Sequence, residues 1–362
     1  MTNLIICNNV YQILVALWIV HRSDPSVTWD MLISDHMKLA DRLRDSGLFR
    51  KVYHIHTLKL TKNQRSHSLL VRIRNALFPM MEVWEYAPIR PEYDSIYFAN
   101  FDNFSQVLYN GLNHRNPDLK LFVYEEGLAS YSSFARFYSD LKCFYGSHDS
   151  RFKKFLHQYI YRTSTIPGHL TGFLVFNPQL IQWDPECEIQ ELEKIDSADA
   201  VFRNIVNSVF DFNPAEQEYN TKYLFFEESF FADGADINDV ALIEALAARV
   251  GKENITIKIH PRNPVNRFSE LGYKTNRNTA IPWEVVVMNA ENLENQIMIT
   301  IASSCILNPI IVFGRKVQAY SLYECLNKIP FILQNGYWDL VDSVYRQYPD
   351  MIHKCSSVDD IP

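Results

Sequence analysis

The sequence predicts an α/β protein with two halves, each a parallel β-sheet covered by helices. Apolar runs of strand length alternate with helical patterns along most of the 362 residues. This alternation is typical of βαβ units, whose successive strands run parallel and carry helices on both faces. An acidic segment broken by Pro185 and Pro214 separates two such series. The length also favours two domains, because a single hydrophobic core rarely extends over more than about 300 residues.

The first half opens with an apolar stretch at 4–20 that is nearly as long as a membrane span. Asn8, Asn9 and Gln12 interrupt it and no positive charge precedes it, so neither a span nor a signal peptide fits. We predict a strand at 4–7, a polar turn and a buried helix at 10–21. Further strands are predicted at 29–33, 52–56, 95–100 and 120–124, with helices at 38–46 and 104–113.

The segment at 181–220 is acidic and short of strands, and we interpret 191–220 as a linker region with its own helix at 197–210. Asn238 and Gly251 bound an amphipathic helix in the second half. Strands are predicted there at 222–226, 255–259 and 296–302, with helices at 239–250, from 283 and from 303. We therefore expect two Rossmann-like domains, 1–190 and 221–362, that face a central cleft in a GT-B-like architecture.

Composition excludes several classes of protein. An apolar fraction of 47% rules out wholesale disorder, and a net charge of −7 without a long basic run argues against a nucleic-acid binder. The six cysteines have neither zinc-site nor disulfide spacing, which predicts reduced thiols, no structural metal and a cytoplasmic protein.

The segment at 59–78 stands apart by its charge. It contains no acidic residue and five basic ones, namely Lys59, Lys62, Arg65, Arg72 and Arg74. Such a segment is either a solvated loop and helix face, or a patch for an anionic acceptor or for the inner surface of the cell membrane.

Three short polar segments follow predicted strands, at the carboxyl ends where ligands bind in parallel sheets. The first is YEEG at 124–127. Its adjacent carboxylates cannot both be stabilised by one environment, so one of them can have a raised pKa and act as a base. Gly127 allows a sharp turn. An ordinary acidic turn fits the same residues.

The second segment is KIHPR at 258–262, in which Lys258 and His260 share a face of the strand and Pro261 ends it. This pair suits a leaving phosphate, and a histidine can donate a proton near neutral pH. The third segment, ASSC at 302–305, combines two hydroxyls with the free N–H groups of a predicted helix start. That combination forms an anion site, although plain N-capping also explains it.

In combination, these segments resemble the motifs of the bacterial sialyltransferases, including glycosyltransferase family 52, the bacterial polysialyltransferases and the marine bacterial family. These families share an acidic pair before glycine, an HP motif and a late serine pair, in that order. The segment IPWEVVVM at 281–288 resembles the one whose glutamate contacts the donor nucleoside. The opening LIICNNVYQILVAL at 4–17 looks like the first strand and loop of these families, so the resemblance spans most of the chain.

The resemblance implies that Glu126 is the general base, with Glu125 as an alternative, and that His260 donates to the phosphate leaving group. The serine pair, Ser303 and Ser304, holds the same phosphate.

The resemblance also implies that Lys258 and Glu284 hold cytidine. Pro261 and Asn9 are placed in the donor site by the HP motif and the N-terminal loop. In some members of family 52, the general base looks to be an acidic residue just after the first strand of the second domain. That region is LFFEESFFADG at 224–234 here, and it offers Glu227, Glu228 and the further alternative Asp233.

The implied activity is an inverting transfer of sialic acid from CMP-sialic acid to a glycan, such as a terminal galactose of lipooligosaccharide or a capsular polysaccharide. The 1–190 domain supplies the base and the acceptor side, and the 221–362 domain binds the CMP-sugar. No cofactor or metal is expected, because the leaving group is a monophosphate diester and the chain has no Asp-x-Asp triplet. Two alternatives stay open: a transferase that uses another nucleotide sugar, and a non-catalytic binding protein of capsule assembly.

Overall fold

The computed structural model divides into two compact units. The first comprises Met1–Glu193 and Ser208–Phe210, and the second comprises Lys194–Asn207 and Asp211–Pro362. The described residues are 1–63, 68–100, 102–131, 170–185, 187–216, 218–276, 278, 280–330, 333 and 337–362. Within these ranges, no helix combines the length and the apolar character needed to cross a membrane.

The first unit is built on a seven-stranded sheet whose neighbouring strands are all parallel. The strands are β1 (Thr2–Cys7), β2 (Thr28–Ser34), β3 (Lys51–Ile55), β4 (Ser95–Phe98), β5 (Lys120–Tyr124), β6 (Leu170–Val175) and β7 (Glu188–Glu191). Their order is β3-β2-β1-β4-β5-β6-β7. The chain thus winds outward from β1 on one side and from β4 on the other, as in a Rossmann fold.

Six helices of the first unit connect these strands within the described residues. They are α1 (Val10–His21), α2 (Ala40–Asp45), α3 (Thr57–Asn63), α4 (Leu69–Leu77), α5 (Pro79–Tyr86) and α6 (Asn103–Arg115). The side chain of Asn9 caps α1 by accepting a hydrogen bond from the Gln12 N–H group at 2.8 Å. All residues of α1 from Gln12 to Val20 are buried. The apolar N-terminal stretch is therefore a strand and a core helix, as predicted.

The second unit contains a six-stranded parallel sheet with the order β10-β9-β8-β11-β12-β13. Its strands are β8 (Tyr223–Phe226), β9 (Ile255–Lys258), β10 (Lys274–Thr275), β11 (Ile297–Thr300), β12 (Gln318–Ser321) and β13 (Ile352–Lys354). Every residue of β8, β9 and β11 is buried. Burial of this kind is typical of parallel strands that are covered on both faces.

The helices described from residue 194 onward complete this architecture. They are α7 (Ala200–Phe210), α8 (Asp239–Val250), α9 (Arg267–Glu270), α10 (Trp283–Asn289), α11 (Asn308–Ile311) and α12 (Tyr337–Gln347). Both units are thus parallel α/β folds of the Rossmann type, and the predicted fold class of two such domains is confirmed.

Two details of the prediction were wrong. The acidic segment at 181–220 contains the edge strand β7, which reads EIQE and is largely exposed. It therefore lacks the apolar run that marks a buried strand. The helix expected from 303 is a 3₁₀ turn, Ser304–Ile306, followed by the single turn α11. Pro309 has no N–H group, so a regular helix cannot continue from the 3₁₀ turn.

Gly111 on α6 lies where α5 packs closely, and a methyl group has no room there. A Cβ atom built on Gly111 would approach Val83 Cγ2 to 2.5 Å and Met80 Sδ to 3.0 Å. Alanine favours a helix over glycine by about 1 kcal/mol, whereas overpacking a core costs about 1–3 kcal/mol. Because Val83 is fully buried, we expect Gly111→Ala to lower the free energy of unfolding by about 1 kcal/mol in urea denaturation. A more stable variant would contradict this.

Candidate functional site

Each sheet reverses its winding direction at one point, and ligands of such folds bind at the carboxyl ends of the strands beside it. In the first unit this point lies between β1 and β4, and in the second it lies between β8 and β11. The YEEG segment follows β5, which pairs with β4. The HP segment follows β9 and the serine pair follows β11, and both strands pair with β8. The fold thus places the predicted segments next to the two reversal points.

Glu126 lies one strand from the reversal point of the first sheet and is partly exposed. Its Oε1 atom accepts hydrogen bonds from Gln12 Nε2 and Asn100 Nδ2, each at 3.1 Å. Its backbone N–H group donates to Ser130 Oγ at 2.7 Å. Gly127 follows with a φ of 101°, a conformation that favours glycine. The turn therefore presents the Glu126 carboxylate at the strand ends, held by two neutral amides.

Glu125 has a different environment, because its side chain is buried among hydrogen-bond donors. Oε1 accepts from the Tyr11 hydroxyl at 2.8 Å. Oε2 accepts from the Tyr131 hydroxyl and from the Phe176 N–H group, the latter at 2.9 Å. The nearby carboxylate also contributes to raising the pKa of Tyr131, after burial itself. These contacts link the segments after β5 and β6, so Glu125 acts as a structural crosslink.

Asn8 and Gln12, which were not predicted as site residues, complete the first cluster with their amide groups. The Asn8 N–H group donates to Gln12 Oε1 at 2.6 Å, which leaves the Gln12 amide nitrogen directed to Glu126. Asn8 Oδ1 accepts from Ser34 Oγ at 2.9 Å. Asn9, predicted in the donor site, caps α1 beside this network. Asparagine and glutamine carry no distinctive motif, so only their position at the strand ends marks them.

The strand register brings the segments of the second unit together. Phe226, at the end of β8, lies between Lys258 of β9 and Thr300 of β11. Glu227 and Glu228 therefore lie between two segments. On one side is the segment that follows β9 and contains His260 and Pro261, which we call the HP turn. On the other side is the segment that follows β11 and contains Ser303 and Ser304, which we call the serine loop. Hydrogen bonds join Glu227 to His260, 33 positions away in the chain, and Glu228 to Ala302, 74 positions away.

Glu227 fixes the backbone of the HP turn. It is buried, and its Oε2 atom accepts from the His260 N–H group at 3.1 Å. Its Oε1 atom accepts from Arg267 Nη2 at 3.0 Å. Arg267 also forms an ion pair with Asp239 at 2.6 Å. A buried carboxylate is costly unless it is paired and hydrogen-bonded, and this network satisfies both needs. Glu227 is thus a positioning residue rather than a free acid.

The ring of His260 is partly buried and neutral at physiological pH. Burial lowers the pKa of His260 to about 4, with further contributions from the charges of Arg262 and Lys258. Its Nδ1 atom accepts from the Arg262 N–H group at 3.2 Å. The proton of the neutral ring is therefore on Nε2. His260 can offer this N–H group to an anion, and an arriving negative charge would raise its pKa.

Lys258 and Glu284 lie close together, as expected for two groups of one binding site. Glu284, in the first turn of α10, is buried and accepts a hydrogen bond from Asn308 Nδ2. Burial raises the pKa of Glu284, while the Asn308 hydrogen bond and the charge of Lys258 oppose this effect. Burial raises the pKa of the Cys305 thiol to about 11. The charge of Lys258 opposes this increase and the Glu284 carboxylate adds to it. These mutual effects on pKa indicate that the HP segment, Glu284 and the serine segment lie close together.

The two serines have different roles in the local structure. Ser303 Oγ accepts from the Cys305 N–H group at 3.3 Å and so caps the 3₁₀ turn. Its own N–H group donates to Thr300 Oγ1 at 3.0 Å. Ser304 is partly exposed in the first position of that turn. Because the turn is short, the hydroxyl and N–H groups, rather than a long helix dipole, would contribute to anion binding.

Glu228 links the serine loop to β8. Its Oε1 atom accepts from Thr300 Oγ1 at 3.2 Å and from the Ala302 N–H group at 3.1 Å. Burial raises the pKa of Glu228 to about 7, and the neighbouring Glu227 carboxylate adds to this increase. The two hydrogen bonds act in the opposite direction.

Asp233, the further alternative base, is paired with a cation. Its Oδ1 atom lies 3.2 Å from Arg262 Nη1, and its Oδ2 atom accepts from Ser229 Oγ at 2.8 Å. Arg262 directly follows Pro261 of the HP turn. Among the described residues, no three or more His, Cys, Asp or Glu side chains are grouped so that they could hold a metal ion. Metal independence of the reaction stays a prediction.

Two parallel Rossmann-type units, each with polar segments after the strands beside its reversal point, form a fold of the GT-B type. The family model of the alpha-2,8-polysialyltransferases matches residues 3–321. The chain belongs to this family, and it is a glycosyltransferase of the sialyltransferase kind. A search of curated proteins found no match.

Solved structures with a similar course of the chain are distant. The glycosyltransferase of kitacinnamycin is 9% identical with a TM-score of 0.49, over 99% of this chain and 86% of that one. Arabidopsis thaliana UGT89C1 in complex with UDP is 13% identical with a TM-score of 0.47, over 99% and 87%. The UDP-GlcNAc 2-epimerase from Neisseria meningitidis is 10% identical with a TM-score of 0.47, over 97% and 93%. The assignment of the fold rests on the two sheets themselves.

The contacts of the adjacent glutamates predict different effects on stability. Glu125→Ala leaves three donors without an acceptor, and two of them, on Tyr131 and Phe176, are buried. We expect this change to cost about 3 kcal/mol or more of unfolding free energy. Glu126→Gln keeps an oxygen for the amides of Gln12 and Asn100, and we expect a change within about 0.5 kcal/mol. Urea denaturation of both variants measures the difference. Equal losses would contradict the structural role of Glu125.

The raised pKa of Glu228 predicts a pH-dependent stability. In the folded protein Glu228 keeps its proton up to about pH 7, whereas its ordinary pKa is 4.5. Between these values the folded state binds more protons than the unfolded one, so this group's contribution to stability falls as the pH rises. Glu228→Gln stays neutral and retains the acceptor oxygen. We expect the variant to melt at a higher temperature than the wild type at pH 8, and the difference to vanish near pH 4.

The control for this experiment is Glu291→Gln, which changes an exposed glutamate of the same unit. Its melting temperature should follow the wild type at every pH. A Glu228→Gln difference that is constant across the pH range would show that Glu228 does not titrate as described.

Proposed function

We propose that this glycosyltransferase moves sialic acid from CMP-sialic acid to a glycan hydroxyl with inversion at the anomeric carbon. The observation that carries the proposal is the convergence of the HP turn, Glu284 and the serine loop at the reversal point of the second sheet. The membership of the chain in a polysialyltransferase family supports the choice of sugar.

The second unit provides groups that suit the CMP part of the donor. His260 offers a neutral Nε2–H group, and the Ser303 and Ser304 segment offers hydroxyl and N–H groups to the phosphate. Lys258 adds a positive charge and is almost fully buried. When the bond between the anomeric carbon and the phosphate oxygen breaks, its electron pair goes to that oxygen. Donors placed around the phosphate stabilise the charge that develops there.

The first unit provides the proton acceptor. As the acceptor hydroxyl attacks the anomeric carbon, its proton passes to the Glu126 carboxylate. Glu126 is favoured over Glu125 because Glu125 is buried under three donors. It is favoured over Asp233 because that carboxylate is paired with Arg262. The proposal requires Glu126 and His260 to act on one donor and acceptor pair, in a single displacement without a covalent intermediate.

The acceptor follows from the family rather than from the geometry. The name of the family makes the 8-hydroxyl of a terminal sialic acid the first acceptor to test. A terminal galactose of lipooligosaccharide or of a capsular glycan is the other. The reaction as proposed needs neither a cofactor nor a metal ion, and turnover that persists in EDTA would support this.

Loss of one well-placed charge-stabilising group or base costs about 2.7–4 kcal/mol of barrier stabilisation, by analogy with oxyanion-hole deletions. We therefore expect Glu126→Gln and His260→Ala each to lower kcat about a hundredfold or more. Release of CMP from CMP-sialic acid, with sialyllactose and lactose as acceptors, measures the effect. UDP- and GDP-sugars in the same assay test the choice of donor.

Asp233→Asn is the matched comparison for Glu126→Gln, because it also removes one carboxylate charge. It leaves Glu126 unchanged, and we expect it to lower kcat less than about tenfold. A loss with Asp233→Asn as large as that expected for Glu126→Gln, together with an active Glu126→Gln enzyme, would move the base to the second unit. Wild-type turnover with His260→Ala would remove the phosphate assignment.

A further inference from the structure

The helices α4 and α5 expose apolar side chains that a water-soluble surface does not normally present. On α4, Leu70, Ile73 and Leu77 are 79%, 48% and 60% exposed. Their spacing of three and four residues places them on one face of the helix. The opposite side of the helix contains the buried Asn75. The helix therefore has its apolar face toward solvent, the reverse of the usual arrangement.

A second exposed apolar row begins at Phe78 and follows along α5. Phe78, Met81 and Trp84 are 60%, 45% and 45% exposed, and they follow one another at intervals of three residues. Phe78 ends α4 and precedes α5, so the two rows meet at this residue. We call the six side chains of both rows the apolar ridge. A concentration of exposed apolar side chains of this kind on one short segment marks a site of interaction.

The charge of the sequence segment that carries the apolar ridge indicates the partner. Five basic residues and no acidic residue lie between Thr57 and Met81, although the whole chain has a net charge of −7. The next acids, Glu82 and Glu85, lie on α5, where Glu85 pairs with Arg74 at 3.3 Å. A segment whose sequence has an excess of basic residues, and whose exposed apolar side chains include Phe and Trp, matches the boundary between acyl chains and anionic headgroups.

We propose that the apolar ridge docks the protein onto an anionic lipid bilayer, with its side chains in the headgroup and acyl boundary. A second copy of this chain fits less well, because a two-fold contact through the apolar ridge would bring the basic segments of both copies together. The inference is independent of the identity of the sugar donor. It accounts for both the basic charge and the exposed apolar rows of one segment.

Flotation of the purified full-length chain with lipid vesicles tests the proposal. We expect binding to phosphatidylcholine vesicles that contain about 30 mol % phosphatidylglycerol, and weaker binding at 0.5 M NaCl or without the anionic lipid. Leu70→Asp should lower the vesicle partition coefficient about tenfold, since it removes an inserted apolar side chain and adds a negative charge.

The matched control is Val201→Asp on α7, where Val201 is 65% exposed. It makes the same change of charge on another exposed apolar residue, and it should bind vesicles like the wild type. Leu77→Asp provides a second variant of the apolar ridge. Melting temperatures, and CMP release with a soluble acceptor, should match the wild type for all three variants, which shows that each is folded.

Three results would overturn the proposal. The first is a wild-type chain that does not float with anionic vesicles. The second is equal binding of Leu70→Asp, Leu77→Asp and Val201→Asp. The third is a wild-type dimer in sedimentation analysis that Leu70→Asp dissociates, without vesicle binding, because the apolar ridge would then be an interface between copies of this chain.

Discussion

The parallel register of three strands in the second unit determines where the candidate donor site forms. β8 pairs with β9 on one side and β11 on the other, so the segments that follow all three strands begin at the same edge of the sheet. The pair Glu227 and Glu228 uses this position in two directions. Glu227 holds the His260 backbone, and Glu228 holds Ala302. These bonds constrain the HP turn and the serine loop to lie near each other before any ligand binds, which lowers the cost of ordering them later.

Adjacent carboxylates acquire separate roles through their surroundings in both units. In the first unit, three donors and full burial make Glu125 part of the scaffold, while the partly exposed Glu126 accepts hydrogen bonds from two neutral amides at Oε1. In the second unit, the Arg267 pair keeps Glu227 compatible with its burial, whereas no such cation pairs with Glu228 in the contacts described, and its pKa is raised. Chemistry at each site depends on these differences more than on the acidic residues as such.

Much of the fold could be predicted from the sequence, because fully buried strands such as β8 and β11 are short, mostly apolar runs. The exposed edge strand β7 could not, since half of EIQE is charged. The motif residues Glu126, His260 and Ser303 could be predicted as residues after strands. Gln12, Asn100 and Asn308 could not, because amides have no characteristic spacing and depend on contacts distant in the chain. The structural role of Glu125 likewise depends on Tyr131 and Phe176, which only the folded chain brings to it.

The central claim is a division of labour: the second unit binds the nucleotide, and the first supplies the proton acceptor. Isothermal titration of CMP into Glu126→Gln and Lys258→Ala tests this claim most directly. The account predicts that Glu126→Gln binds CMP within about twofold of the wild type, whereas Lys258→Ala, which removes a buried charge from the candidate donor site, weakens binding about tenfold or more. Unchanged affinity in Lys258→Ala, or an equally large loss in Glu126→Gln, would contradict it.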